Sequence, residues 1–385
     1  MSPEQQPQGF LSYVTNVGIK DQSKDFVCVY SPTPCTSAAV FTQSLFAGAS
    51  VVLSREAAKH GALQAIFTIS KNSNVATGQV GLDNAQEIIT NLSKNLGLAS
   101  HTILLASTGV IGKTYPMEKI RPALAKVKQH LVPANFIEVA EGIMTTDKTA
   151  KYVAEKVGNA RLVGVAKGVG MIEPNMATLL VYFFTDAYIG AERLQALFKR
   201  VMDKSFNCLS IDSDTSTSDT AAILANGVAG EVDEDAFEQA LLRCAIHLVK
   251  AVAQDGEGAT KLIEVHVNHA KDVEQAKTVA KAIVNSPLVK TAIHGADPNW
   301  GRVAMAIGKC HQYTDIDQTQ VLIAFDELAV YPTAIVPEKL QQLRAIMEKR
   351  EIIIRVQLNT GQAHATVWGC DLSPEYVRFN SEYMT

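Results

Sequence analysis

Cysteines are few and widely spaced in this chain of 385 residues. No two of them have the C-x-x-C spacing of a redox motif or a zinc knuckle. The pattern predicts free thiols, buried or half buried, in a reducing compartment. The cysteines are Cys28, Cys35, Cys208, Cys244, Cys310 and Cys370.

Signals for a membrane or a nucleic acid are also lacking. No apolar run approaches the about 20 residues that span a bilayer. The first residues, MSPEQQPQ, lack the basic and apolar regions of a secretory signal. The formal net charge is −4 and the basic residues are scattered, which argues against nucleic-acid binding. We therefore expect a cytoplasmic protein with no membrane partner and no nucleic-acid partner.

Strands and helices alternate along the chain, which predicts a mixed α and β fold. The composition, 47% hydrophobic and 19% charged, is typical of a globular protein. The length favours about two or three domain-sized units, yet no linker rich in Pro, Gly or Ser divides the chain. Strands are predicted over 25–31, 37–53, 102–106, 179–185, 262–267, 320–326 and 351–357. Helices are predicted over 54–62, 83–96, 117–130, 134–142, 190–204, 235–253 and 270–284.

The most informative segment is the glycine-rich loop KGVGMIEPNMAT at 167–178, which the apolar run LLVYFF follows. If the chain were cut between Ala177 and Thr178, Thr178 would carry a hydroxyl and a free α-amine. A hydroxyl is a poor nucleophile without an adjacent base. An α-amine, with a pKa of about 7.7–8.0, is suited to that role. One residue would then supply both groups that acyl transfer needs.

Thr178 also has an ordinary interpretation as the first residue of a strand, where β-branched side chains are favoured. The preceding loop favours the cleavage hypothesis instead. Gly168, Gly170 and Pro174 permit an unusual backbone path, which would hold the Ala177 carbonyl for attack by the Thr178 hydroxyl. An N-to-O acyl shift and ester hydrolysis would complete self-cleavage.

The loop resembles the autoprocessing site of the ornithine acetyltransferases, the ArgJ family of glutamate N-acetyltransferases in arginine biosynthesis. Further segments resemble family blocks and occur in family order. They are ASTGVIG (106–112), IMTTD (143–147), DSDTSTSD (212–219), DGEGATK (255–261), HGADPNWGR (294–302) and NSEYMT (380–385), with AVFT (39–42) and NSNVAT (72–77) in the amino-terminal third.

The resemblance implies a layered α/β/β/α sandwich of the ornithine acetyltransferase/DmpA type. It also implies autoprocessing into an α chain (1–177) and a β chain (178–385), which associate as αβ heterodimers and heterotetramers. The implied reaction is ping-pong transfer of acetyl from N2-acetylornithine to glutamate through acetyl-Thr178. No bound cofactor is implied, and acetyl-CoA as a further donor stays open.

The resemblance also implies roles for individual residues. Thr108 and Gly109 would form the oxyanion hole, although Ser-Thr-Gly is also a common turn. The implied substrate-binding residues are Thr145, Lys167, Thr178, Glu257, Asn380 and Thr385. Lys167 would attract a carboxylate, Glu257 would face the amine of an ornithine-like substrate, and Thr146 is the rival of Thr145. The ordinary alternatives are a solvated lysine, a turn glutamate and a frayed terminus.

Other signals carry less weight. We expect no metal, because His266 and His269 would lie on opposite faces of a strand. The polar run at 212–219 is interpreted as a hydrogen-bonded loop near the site. Glu173 replaces a small residue of many family members, and its charge is expected to alter the substrate pocket or the processing rate.

Three functions remain open besides the acetyltransferase. They are an autoprocessed hydrolase of the amidase or aminopeptidase type, a related acetyltransferase of secondary metabolism, and a non-catalytic metabolite-binding protein.

Overall fold

The computed structural model describes residues 6–20, 22–173, 179–333 and 336–382. Ala177, Thr178 and Thr385 therefore lie outside the described residues. The strands are β1 (Leu11–Thr15), β2 (Phe26–Tyr30), β3 (Thr36–Phe41), β4 (Ala65–Ile69), β5 (Ile103–Ser107), β6 (Val132–Pro133), β7 (Lys151–Val157), β8 (Ala160–Lys167), β9 (Leu180–Tyr188), β10 (Leu209–Ser210), β11 (Thr220–Glu231), β12 (Leu262–Ala270), β13 (Leu322–Phe325), β14 (Leu328–Tyr331), β15 (Glu351–Gln357) and β16 (Ala363–Cys370).

Twelve α-helices of the described residues pack around these strands. They are α1 (Ala49–Ala58), α2 (Gly78–Leu96), α3 (Met117–Leu124), α4 (Val127–His130), α5 (Phe136–Gly142), α6 (Ala191–Lys204), α7 (Glu234–Gln254), α8 (Val273–Val284), α9 (Pro287–His294), α10 (Gly301–Gly308), α11 (Pro337–Met347) and α12 (Pro374–Glu382). No helix within the described ranges is long and apolar enough to cross a membrane.

Two sheets stack face to face in the centre of the molecule. The first has the strand order β5-β4-β2-β1-β6, and the second has the order β3-β11-β9-β8-β7. Aromatic side chains fill the space between them, with the rings of Phe10 and Phe136 at 5.4 Å and 4.8 Å from that of Phe184. The Tyr182 hydroxyl also meets Thr68 Oγ1 across the sheets at 2.9 Å.

Helices cover the outer face of each of these sheets. On the first sheet, Phe26 and Phe67 share a core cluster with residues of α2, α3 and α4. On the second sheet, Phe183 shares a cluster with residues of α6 and α7. The layers are therefore α/β/β/α, which confirms the mixed α and β sandwich expected from the sequence.

Strand β9 explains why the run after the glycine-rich loop is apolar throughout. It lies between β8 and β11, and its first eight residues are buried. Leu180, Tyr182 and Phe184 face the other sheet, while Val181 and Phe183 face the helices. Both faces of a central strand are covered, so both must be apolar.

A third sheet, with the order β10-β16-β12-β15-β13-β14, follows in the carboxy-terminal part. Helix α8 packs on β12 and β16, and α7 contacts both this sheet and the second one. The second and third sheets therefore share one hydrophobic core. The six cysteines are buried and unpaired, which confirms the prediction of free thiols.

Some sequence predictions of local structure were wrong. The strand predicted over 37–53 ends with β3, and α1 begins after Gly48. The buried face of α1 carries Ser50 and Ser54, whose hydroxyls bond to Ser107 Oγ and to the Leu105 backbone. Because these buried positions of α1 are polar, the apolar residues alone do not show a helical period in the sequence.

Two helix boundaries also differ from prediction. Helix α2 begins at Gly78 rather than near Asn84, because its first buried positions are the small residues Gly81 and Ala85. The helix predicted over 117–130 is divided into α3 and α4, and Pro122 lies within the first of them. Proline lacks the amide that continues a helical hydrogen-bond ladder.

Candidate active site

The ends of β5 and β8 open onto a cavity of about 150 Å³, which residues of α12 also line. The site residues predicted from the sequence that fall in the described ranges all line this cavity. They are Thr108, Gly109, Thr145, Lys167, Glu257 and Asn380, and the rival Thr146 lines it too. These residues are distant in sequence, and the fold brings them together.

The chain on both sides of the proposed cleavage junction reaches the cavity. Ile172 and Leu179 line it, and Leu179 is bonded directly to Thr178. Leu179 has φ 70° and Met171 has φ 56°, a conformation that side chains other than glycine rarely adopt. Each such residue costs about 1–3 kcal/mol, and strain of this kind collects at functional sites.

Thr108 and Gly109 form a tight turn at the end of β5. The Thr108 amide donates to the Ile69 carbonyl at 3.1 Å. Gly109 has φ 125°, and a Cβ there would lie 2.3 Å from the carbonyl carbon of Lys71. Only glycine fits this position, because the backbone of the segment from Lys71 presses against it.

Lys167 connects this turn to the charges of the site. Its Nζ donates to Thr108 Oγ1 at 3.3 Å, which leaves the Thr108 hydroxyl proton available to another acceptor. Burial lowers the pKa of Lys167, while the nearby Asp147 carboxylate acts in the opposite direction. A cation and a hydroxyl donor at the end of β5 suit a developing oxyanion or a substrate carboxylate.

A buried ion-pair network of Asp147, Lys151 and Asp255 lies next to Lys167. Asp147 accepts from Lys151 Nζ at 2.7 Å and from the Gly168 amide at 2.8 Å, and Lys151 also binds Asp255 at 2.6 Å. Burial alone would raise the pKa of Asp147, but the charges of Lys167 and Lys151 hold it below its ordinary value. Sequence reasoning missed this network, although Asp147 and Asp255 stand in family-like blocks.

Glu257 also lines the cavity and lies against the glycine-rich loop and the tail helix. Asn380 Nδ2 donates to its Oε2 at 2.9 Å, and Thr146 Oγ1 donates to its Oε1 at 3.4 Å. A Cβ at Gly170 would lie 2.5 Å from Glu257 Oε2, so this glycine permits the close approach. Burial raises the pKa of Glu257. Thr145 lines the cavity, but the hydroxyl that contacts Glu257 is that of Thr146.

The polar run at 212–219 is a hydrogen-bonded loop beside the site, as the sequence suggested. The Asp212 carboxylate accepts from the amides of Met171 and Ile172 at 2.7 Å and 2.8 Å. Tyr376 of α12 donates to the same carboxylate at 3.3 Å. Asp212 therefore fixes the strained loop and joins it to the tail helix.

Asp219 ends this loop next to the proposed junction, and sequence reasoning did not single it out. Its Oδ1 accepts from the Leu179 amide at 2.7 Å. Burial raises the pKa of Asp219 to about 7, although the Leu179 amide, the Ser216 hydroxyl and the Lys167 charge act in the opposite direction. The signal was present in the sequence, since Asp219 closes a family-like block.

Glu173 does not line the cavity. The expectation that its charge alters the substrate pocket or the processing rate stays a prediction. Its carboxylate accepts from Ser210 Oγ at 2.8 Å and from the Asn285 side chain, and it lies 3.4 Å from Lys281 Nζ. Lys281 of α8 compensates the charge, and the hydrogen bond from Ser210 of β10 helps to anchor the loop.

Opposite charges meet in the cavity. Lys20, Lys71 and Lys167 contribute cations, and Asp212 and Glu257 are among the carboxylates. This arrangement can hold an amino acid by its carboxylate and its ammonium at the same time. Within the ranges that the structure describes, no group of three His, Cys, Asp or Glu side chains could hold a metal ion.

Known proteins resemble the chain over almost its whole length. The sequence pattern of the ArgJ family matches residues 12–385. Arginine biosynthesis bifunctional protein ArgJ 2 of Nostoc sp. is 58% identical over 379 residues, 98% of each chain. Glutamate N-acetyltransferase Oat2 of Streptomyces clavuligerus is 51% identical over 385 residues, again 98% of each chain.

Solved structures resemble it over a shorter stretch. The crystal structure of arginine biosynthesis bifunctional protein ArgJ from Bacillus halodurans is 37% identical, with a TM-score of 0.49. The superposition covers 53% of this chain and 98% of that one.

Proposed function

The chain belongs to the ArgJ family, and we propose that it is a self-cleaving glutamate N-acetyltransferase of arginine biosynthesis. It would move the acetyl group of N2-acetylornithine to glutamate. One observation supports this function above all others: a single cavity is lined by Thr108, Gly109, Lys167, Glu257 and Asn380. These are the described residues to which the family resemblance assigns oxyanion and substrate roles, with Thr145 beside them.

The proposed self-cleavage separates an α chain, 1–177, from a β chain, 178–385. The pairing of β8 with β9 supports their continued association, since Lys167 is the register partner of Leu180 at the end of the two strands. Strand β9 would belong to the β chain and pair with β8 of the α chain. Because β9 is buried on both faces, separation of the chains would expose the apolar core.

The proposed transfer runs in two half-reactions. The Thr178 hydroxyl attacks the acetyl carbonyl while its own α-amine accepts the proton. The Thr108 hydroxyl and the Gly109 amide would donate to the oxyanion, which stabilises the tetrahedral intermediate. Ornithine leaves, and the amine of glutamate then takes the acetyl group from Thr178.

Two charged residues that line the cavity suit the two ends of the substrate. Lys167 would bind the carboxylate, because it lines the cavity and its ammonium is a strong partner for an anion. Glu257 would bind the ammonium of ornithine, and Asn380 holds the Glu257 carboxylate in place. Thr145, with Thr146 as its rival, and Thr385 complete the proposed set of contacts.

The remaining features of the proposal concern assembly and donors. The αβ units would form a heterotetramer in the cytoplasm, where six buried free thiols are compatible with a reducing environment. No bound cofactor is required, because the donor substrate carries the acetyl group. Acetyl-CoA would serve as a second donor if the protein is bifunctional.

Acetyl-labelled N2-acetylornithine tests the function directly. The purified protein is incubated with it in the presence and absence of glutamate, and the products are separated. The proposal predicts labelled N-acetylglutamate, formed only when glutamate is present. Rapid release of labelled acetate with no transfer to glutamate would instead identify an amidase-type hydrolase.

A further inference from the structure

Self-cleavage needs a separate base, which the mature enzyme does not need. After cleavage, the α-amine of Thr178 can accept the hydroxyl proton. Before cleavage, the same nitrogen belongs to the Ala177–Thr178 peptide bond, and resonance removes its basicity. The first attack of the Thr178 hydroxyl therefore requires another proton acceptor close to the junction.

Asp219 is held next to that junction by its neighbours in the second sheet. Its carbonyl accepts from the Thr42 amide of the loop after β3, at 3.0 Å. Its Oδ1 accepts from the Leu179 amide at 2.7 Å. The side chain is almost fully buried, with 2% of the residue exposed, and it lines the cavity.

The second carboxylate oxygen of Asp219 is unusual. Oδ2 is buried and has no hydrogen-bond partner within 3.5 Å among the residues that the structure describes, although the Ser216 hydroxyl is close enough to the carboxylate to lower its pKa. A buried polar atom without a partner is costly, and native proteins keep few of them outside functional sites. This oxygen is therefore available to accept a proton.

Covalent geometry limits the distance between the Thr178 hydroxyl and this carboxylate. Thr178 is bonded to Leu179, so its hydroxyl oxygen lies within about 5 Å of the Leu179 nitrogen in any conformation. That nitrogen is 2.7 Å from Asp219 Oδ1. The two distances together keep the Thr178 hydroxyl oxygen within about 8 Å of Asp219 Oδ1, and rotation about the bonds of Thr178 can bring it closer.

Of the other carboxylates that line the cavity, that of Asp214 is exposed, and those of Asp212 and Glu257 are already occupied. Both oxygens of Asp212 accept backbone amides, those of Met171 and Ile172. Both oxygens of Glu257 accept side-chain donors, from Thr146 and Asn380. Asp219 differs from them in having one committed oxygen and one without a described partner.

We infer that Asp219 is the general base of self-cleavage, an inference that rests on the proposed function. Asp219 Oδ2 takes the Thr178 hydroxyl proton while Thr178 Oγ1 bonds to the Ala177 carbonyl carbon. The bond from that carbon to the Thr178 nitrogen then breaks, and Asp219 returns the proton to this nitrogen. Water hydrolyses the resulting ester, so Ala177 gains a carboxylate and Thr178 recovers its hydroxyl.

The charges around Asp219 support this role. Burial raises its pKa to about 7, so near neutral pH a substantial fraction of the carboxyl is ionised and still basic enough to take a proton. Lys167 at the end of β8 is the cation that lowers this pKa. The other ionisable groups lining the cavity are Lys20, Lys71, Asp212, Asp214, Glu257 and Tyr376.

Cleavage of freshly translated precursor tests the inference. The wild-type protein and Asp219→Asn are followed by intact mass at a series of pH values, and folding is checked by circular dichroism. The wild-type rate is expected to rise through about pH 7 and then level off, because the ionised carboxylate is the active form. Asp219→Asn is expected to cleave about 10²–10⁴-fold more slowly and to lose this inflection.

Two further variants keep the test decisive. Glu231→Gln removes an exposed carboxylate at the other end of β11 and is expected to cleave like the wild type. Asp219→Glu keeps a carboxylate and is expected to cleave slowly, with an inflection in the pH dependence of its cleavage rate. This variant tests the role of the carboxylate if Asp219→Asn does not fold.

Two different failures can be distinguished. Asp219→Asn that cleaves at the wild-type rate with the wild-type pH profile, or folded Asp219→Glu without an inflection, would overturn the role of Asp219 alone. A wild-type chain that stays uncut at every pH would overturn the proposed self-cleavage itself.

Discussion

At the scale of single residues, the site depends on glycines where backbone and side chains approach closely. The absence of a side chain at Gly109 lets the backbone of Lys71 approach, and its absence at Gly170 lets the Glu257 carboxylate approach. The sequence predicted a role for Gly109 through the family resemblance. It could not show which atoms exclude a side chain, because those atoms come from a segment more than thirty residues away.

Substitution of Gly109 by alanine is predicted to impair the oxyanion hole. The new Cβ would lie 2.3 Å from the carbonyl carbon of Lys71, so the turn must shift. Loss of one oxyanion donor lowers kcat by about 10²–10³-fold. Steady-state kinetics of acetyl transfer, with N2-acetylornithine and glutamate, measure this effect.

Gly112→Ala is the matched control for this prediction. Gly112 also has a positive φ, of 81°, but no atom lies within 4 Å of the Cβ that would be added. The control shares the backbone strain and lacks the clash, so its kcat is expected to stay near the wild-type value. Equal kcat values for the two variants would contradict the assignment of the oxyanion hole to this turn.

At the scale of elements, a buried ion-pair network joins the start of β7 to the loop after α7. Lys151 is the only cation that the structure shows bridging Asp147 and Asp255 within the described residues. The side chains of Lys151 and Asp147 are 1% and 0% exposed. Removing one partner from such a network leaves the others charged and buried.

Lys151→Met is predicted to destabilise the fold strongly. The substitution keeps the length of the side chain but removes the ion pairs of Lys151 with Asp147 and Asp255, so that Asp147 retains only the charge of Lys167, and this costs about 3–5 kcal/mol. Urea unfolding, followed by circular dichroism, measures the free energy of unfolding.

Lys156→Met, at an exposed position of the same strand, is the control for this loss. It is expected to change the free energy of unfolding by about 0.5 kcal/mol or less. A Lys151→Met protein as stable as this control would show that the network contributes little.

Sequence patterns predicted the long elements better than the short ones. Helix α7, predicted over 235–253, runs from Glu234 to Gln254, and its amphipathic period is clear over many turns. Helix α1 was mistaken for a strand because serines occupy part of its buried face. Their hydroxyls bond to β5, and such tertiary partners leave no trace in hydrophobic periodicity.

At the scale of the whole molecule, the second sheet interleaves the two proposed chains. Strands β3, β7 and β8 precede the junction, and β9 and β11 follow it. The sequence predicted that the run after Thr178 would be a buried strand, and β9 is one. The order of the strands, and the third sheet beyond them, depend on pairing between distant segments and could not be predicted from local patterns.

The most direct test of the central claim is the intact mass of the purified protein before and after exposure to N2-acetylornithine, beside Thr178→Ala. Two wild-type fragments that meet at Ala177 and Thr178 are predicted, with one acetyl group added only to the fragment that begins at Thr178. Thr178→Ala should remain a single, unacetylated chain. An uncut wild-type chain, or an acetyl group on any other residue, would contradict Thr178 as the nucleophile of both self-cleavage and transfer.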